Sequence, residues 1–86
     1  MSRSNQNNPE PAWTEFVSAH GPGDILSGRV TSIVSFGAFV EVAPGVDGLM
    51  HTSEWKDGVV PELEQTLSVR IQDIDVERHR LSLVPQ

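Results

Sequence analysis

Three kinds of side chain in this 86-residue chain could do chemistry: three histidines, a run of alternating acids, and a few aromatic rings. His20, His51 and His79 fall in three separate segments without metal-ligand spacing, and the chain has no cysteine to complete a zinc site or serve as a thiol nucleophile. Asp73, Asp75 and Glu77 resemble the start of a calcium loop. However, Ile74 and Val76 interleave them and the loop's central glycine is missing, so they read as the solvated side of a strand. No phosphate-binding Gly-Lys-Ser/Thr loop, HExxH helix or GxSxG elbow occurs, so the residues compose no enzyme and call for no cofactor or metal.

The aromatic residues are more informative. Ala38, Val40 and Val42 alternate with Phe39 and Glu41, which puts the three aliphatic residues inside and turns Phe39 outward. Either the N-terminal segment or residues 52–66 cover that ring, or it belongs to a face that meets a ligand. Phe36 stands at a break in phase before Gly37, so parity alone does not place it. In the next apolar segment Leu49 and His51 share one face and Met50 takes the other, as core filler. Phe36, Phe39, Leu49 and His51 thus form a candidate exposed patch. Rings on a small sheet can stack against nucleic-acid bases at roughly 1–3 kcal/mol per base without a highly basic protein. His51 is either a satisfied strand histidine or a ring that stacks or donates to phosphate or base.

The elements that must position these residues follow from periodicity. Residues 1–11 are Ser, Asn, Gln and Pro and read as a flexible lead-in. Trp13, Phe16 and Val17 recur at i, i+3 and i+4 after Pro11, with Gly21 beyond, so residues 12–22 read as a short helix and linker packing on the side or end of the domain. Residues 23–86 form the domain proper. Leu26, Gly28, Val30 and Val34 mark a first strand and Ala38, Val40 and Val42 a second; Ala43 to Gly48 read as a turn, and Leu49 to His51 as a short third strand. Residues 52–66 hold one or two expected helical turns, one containing Glu54 and one starting at Pro61. Leu67, Val69 and Ile71 mark a fourth strand, with a bulge or bend expected near Asp73, and Leu81 and Leu83 mark a fifth. Five short strands favour a small antiparallel barrel, because an open sheet of this length would leave edges and apolar residues exposed.

Composition bounds the possibilities. One small domain fits the length, and the apolar runs are too short for a membrane span or a secretory leader, so the expected setting is the cytoplasm. Six Lys and Arg against twelve Asp and Glu give a net charge of −6, which argues against binding nucleic acid by bulk positive charge.

Three blocks carry a resemblance: Gly28-x-Val30-x-x-Ile33-x-x-Phe36-Gly37-Ala38-Phe39-Val40-x-Val42, then Gly45-x-x-Gly48-Leu49-x-His51-x-Ser53-Glu54, then Val69-x-Ile71-x-x-Ile74-Asp75-x-Glu77-Arg78-x-Arg80-Leu81-Ser82-Leu83. Together, over residues 23–84, they resemble the S1 RNA-binding domain. The resemblance implies a five-stranded antiparallel OB-fold barrel, here with a short N-terminal helix and a helical insertion between strands 3 and 4. It also implies contacts to single-stranded RNA at Phe36, Phe39, His51, Asp75 and Arg80. Phe36 and Phe39 would stack on bases, His51 would contact base or phosphate, and Arg80 would pair with phosphate. Asp75 would accept from a base or ribose hydroxyl, orient Arg80, or act only as a turn acid. With one lysine, Lys56, and five arginines, one to three phosphate contacts and weak binding, micromolar to millimolar, are expected. The resulting expectation is a monomeric, non-enzymatic RNA-binding module of translation or RNA metabolism. The alternative is a protein-docking domain, such as a ribosome anchor, using Trp55, Val59 and Val60 in the insertion.

Overall fold

Alternating apolar residues build the strands of this domain. The computed structural model describes residues 10–86, with the side chains of Glu10 and Lys56 left aside; the lead-in expected at the N-terminus therefore lies, through residue 9, outside the described residues. A helix α1 (Glu10–Ala19) precedes five strands: β1 (Ile25–Val34), β2 (Gly37–Ala43), β3 (Val46–His51), β4 (Thr66–Asp75) and β5 (Arg80–Pro85). They close into a barrel in the order β1-β2-β3-β5-β4.

β1 belongs to two neighbours. Its first half pairs with β4 from Ile25 opposite Arg70 to Arg29 opposite Thr66, and its second half pairs with β2 as far as Val34 opposite Gly37. The change of partner coincides with a bulge between Val30 and Ser32, which adds the bend needed to curl a sheet into a barrel. The bulge expected near Asp73 is present as a register shift between Ile71 and Asp73 against β5.

Inside, the alternation fills the barrel with Val30, Ala38, Val40, Val46, Met50, Val69, Ile71, Leu81 and Leu83, all at or below 3% exposure. Such uniform exclusion of water makes parity a reliable guide to which side chains face out. Trp13 and Phe16 of α1 join the same cluster. Trp13 stacks on His79 of the β4–β5 turn at 5.2 Å, and Ala12 lies beside Gly45 of the β2–β3 turn, so the helix closes the end of the barrel where those two turns meet.

Three expectations are corrected. The barrel is not wholly antiparallel: β3 and β5 run parallel, with Leu49 opposite Ser82. Closing five strands forces one parallel pair, which alternation within single strands does not reveal. The expected helical insertion consists only of two three-residue 3-10 turns, Thr52–Glu54 and Lys56–Gly58, and Pro61 starts no helix. Gly58 and the β-branched pair Val59-Val60 are poor helix formers directly before the proline. Finally, β3 begins at Val46 and not at Leu49, because Pro44 and Gly45 suffice to turn the chain. Gly48, read as a turn residue, is a buried strand position: a Cβ there would lie 2.5 Å from Leu83 Cδ1.

Candidate nucleic-acid interface

The outer side of β2 and β3 is built from the residues that parity leaves over. Phe39 pairs in register with Leu49, and Gly37 with His51. Phe36, in the β1–β2 turn, has its carbonyl oxygen held by the Thr52 backbone N–H at 3.1 Å, which ties that turn to the chain leaving β3. Gly37 makes the close approach possible: a Cβ there would sit 2.6 Å from the Met50 carbonyl oxygen and 3.2 Å from His51 Cα. As a result three rings gather on one face. Phe36 meets Phe39 edge-on at 6.3 Å between centroids, and Phe36 lies 6.4 Å from His51.

Helix α1, one of the two expected covers, does not lie over this cluster. α1 closes the end of the barrel by the β2–β3 and β4–β5 turns, and Phe36 remains 49% exposed. Phe39 and Leu49 are half-buried and His51 is exposed. An open, partly wet cluster of rings set edge-on and tilted to one another can accept the face of a planar ring on an exposed member.

Asp75 and Arg80 stand apart from these rings. They pair with each other in register across β4 and β5. Because Leu49 is level with Ser82 in the parallel pair, Arg80 lies two residues below that level and His51 two above it. At ~3.3 Å per residue that separates Arg80 from His51 by about 13 Å along the face. Asp75 is committed locally: its Oδ1 accepts from the Arg78 backbone N–H at 3.2 Å, and its Oδ2 lies 3.8 Å from Arg78 Nη1. These contacts are those of a turn acid, one of the three roles expected of Asp75. Arg80 is exposed and makes no ion pair among the described residues.

The lower part of the face is acidic. Glu41 and Asp47 pair across β2 and β3. Partial burial, reinforced by the charge of Glu41, pushes the Asp47 carboxyl above its ordinary value. Arg29 answers Glu41 at 3.3 Å and Glu64 at 3.4 Å and is thereby occupied.

Beside His51, between β3, β4 and β5, lies a recess of about 210 Å³ lined by Leu49, His51, Ser53, Glu54, Gln72 and Ser82 above the buried Leu83. Nothing in the spacing of Glu54, Gln72 and Ser82 groups them, since β4 and β5 bring Gln72 to Ser82 and only the parallel β3–β5 pairing brings the chain after β3 to both. Their one sequence signal is the Ser53-Glu54 pair two residues after His51. Among the described residues no group of three or more His, Asp or Glu could hold a metal ion, and no helix is long and apolar enough to cross a membrane.

A closed five-stranded barrel with a bent first strand shared by both sheet halves, and aromatic residues outward on β2 and β3, is consistent with the OB-fold class of oligonucleotide-binding domains. The family model described as "S1 RNA binding domain" matches residues 19–84, and the chain belongs to that family. It is 41% identical over 80 residues to the small ribosomal subunit protein bS1 of Mycolicibacterium smegmatis, a match covering 86% of this chain and 17% of that protein. It is also 46% identical over 61 residues to the polyribonucleotide nucleotidyltransferase of Rhodopirellula baltica, covering 66% of this chain and 8% of the enzyme. Among solved structures, GSP13 from Bacillus subtilis superposes with a TM-score of 0.69 at 26% identity, over 77% of this chain and 55% of that one. The chain thus spans less than a fifth of the curated relatives described here. Helix α1 precedes the family match almost entirely.

Proposed function

We propose that this domain is a non-enzymatic module that binds single-stranded RNA weakly and with little sequence preference, by stacking bases on the outer face of β2 and β3. The observation that carries the reading is the cluster of Phe36, Phe39 and His51 within 6.4 Å centroid steps on an open face. In this reading Phe36 and Phe39 take base faces, His51 contacts a base or phosphate, and Arg80, at the far end of the face, meets a phosphate of the same strand. Asp75 shapes the turn that presents Arg80. The domain acts as a monomer in the cytoplasm, in translation or RNA metabolism, and tandem copies or a longer chain would supply the avidity that one copy lacks.

The test is a two-dimensional NMR titration with oligo(U) and oligo(A) at low salt. Selective shifts at Phe36, Phe39 and His51 are expected, with Phe36→Ala and Phe39→Ala each weakening binding by roughly 1–3 kcal/mol. Phe36 is the cleaner probe of the two, since its exposure spares the core. Equal binding by wild type and both variants would remove the stacking claim.

A second reading, protein docking such as ribosome anchoring, is favoured by a different surface. Val59, Val60 and Leu63 are 66%, 53% and 58% exposed. The two valines line a groove of about 270 Å³ together with Trp55, Pro61 and Leu67. This reading predicts no chemical-shift change with RNA up to millimolar concentration.

A further inference from the structure

The recess beside His51 has a chemistry that the stacking face lacks. Leu49 and His51 form one wall, while Glu54, Gln72 and Ser82 bring polar groups to the same space. None of these three polar side chains has a hydrogen bond to another side chain or backbone group among the described residues. Glu54 is half-buried on the 3-10 turn that follows His51, and both residues line the recess.

A carboxylate in this place, on a chain of net charge −6, repels phosphate. That excludes the phosphate, and of the neutral parts of a nucleotide the base is the one with a planar edge to match the two oxygens of a carboxylate. A carboxylate accepts only, through two oxygens set side by side. Among the four RNA bases, guanine alone presents two adjacent donors on its Watson–Crick edge, N1–H and the N2 amino group; uracil offers one N–H between two acceptors, and cytosine and adenine each offer one amino group beside a ring-nitrogen acceptor. The Gln72 amide and the Ser82 hydroxyl can both donate, which suits the neighbouring guanine O6. Single-stranded RNA leaves this edge free to be read.

We propose that the recess is a guanine subsite, with Glu54 accepting from N1–H and N2–H, Gln72 or Ser82 donating to O6, and His51 beside the ring. The proposal rests on the stacking reading: the strand lies along Phe36 and Phe39, and a single base of it enters the recess, so that one position of an otherwise tolerant strand carries a preference.

The experiment compares UUUUU, UUGUU and UUIUU, where inosine lacks the N2 amino group, by NMR titration of the wild type, Glu54→Gln and Gln72→Ala. Wild type is expected to bind UUGUU roughly tenfold more tightly than UUUUU, in line with bidentate base readout, and to lose most of that ratio with inosine. Glu54→Gln puts a donor where an acceptor is needed, so its ratio is expected to fall to near one; Gln72→Ala is expected to lower it partly. Retained shifts of Val40 and Val69 in both variants verify the fold. Equal wild-type affinity for UUGUU and UUUUU, or an undiminished ratio in Glu54→Gln, overturns the subsite while leaving the stacking reading in place if Phe36 and Phe39 shift. Failure of the wild type to bind any of the three RNAs overturns both.

Discussion

Asp47 shows how a single side chain on the face is held against its preference. It projects on the same side of β3 as Leu49 and His51, faces Glu41 across the ladder, and has no ion-pair partner among the described residues. Partial burial and then the Glu41 charge raise its pKa above the ordinary 3.8. The folded state therefore holds the Asp47 proton more tightly than the unfolded chain does. Its favourable contribution is complete below the ordinary carboxylate value and is lost as pH rises through the raised one. Asp47→Asn should accordingly be more stable than the wild type at neutral pH, by a few tenths of a kcal/mol given the exposure of the site. In thermal melts the gain should shrink to nothing below the carboxylate range; a gain that grows on acidification would contradict this account. Two of the three rings, Phe39 and His51, were legible at this scale, because strand parity turns them outward together with Leu49 whatever the topology; Phe36, in the turn where the phase breaks, was not. The distance of Asp75 and Arg80 from those rings was not legible, since it depends on the level at which β5 docks beside β3.

Elements whose apolar periodicity is strong were readable from the chain, whereas those defined by their partners were not. Trp13, Phe16 and Val17 mark α1 because a helix with one apolar stripe must bury it, and β4 and β5 follow from alternation. Val46 and Gly48 look like turn material because Gly48 contributes no side chain, yet the missing Cβ is what allows β3 to lie against Leu83. The 52–66 segment fails as a helix for local reasons, and the parallel β3–β5 contact is a property of closure. Helix α1 is the element with the sharpest mechanical consequence. It lies almost wholly outside the family match, yet Trp13 and Phe16 are 6% and 5% exposed within the barrel's own core cluster. Trp13→Ala removes the ring that stacks on His79 and should cost about 3 kcal/mol, at the lower end for large aromatic truncations because the site lies at the barrel end. In a domain of this size that amounts to a fall in Tm of roughly 12 °C or more. Phe36 and His51 lie at the other end of the face, so their resonances should stay put well below the transition. A loss of only a degree or two would show that the barrel is complete without its helix.

At the scale of the whole molecule the net charge of −6 looks adverse to an RNA partner, but a sum of charges measures only one mode of binding. Two of the four described arginines are engaged: Arg29 is shared between Glu41 and Glu64, and Arg78 faces Asp75. Arg70 and Arg80 are the arginines without an ion pair among the described residues, and of these Arg80 is the one that the resemblance places at the RNA. If stacking carries the affinity, the salt dependence should be no steeper than one to three phosphate contacts give. One to three phosphate contacts at about −0.7 each give a log-log slope between about −0.7 and −2.1, so a tenfold rise in salt should weaken binding by roughly 5- to 130-fold. Arg80→Ala should flatten the slope by about 0.7, the loss of one contact. Phe36→Ala should lower affinity at every salt concentration and leave the slope as it was, because a ring releases no counterion. Titrations of one short RNA across a tenfold salt range with these two variants therefore separate the two sources of affinity. A slope steeper than about −3.5, the value if all five cations beyond the N-terminal lead-in touched phosphate, would mean that charge and not stacking dominates.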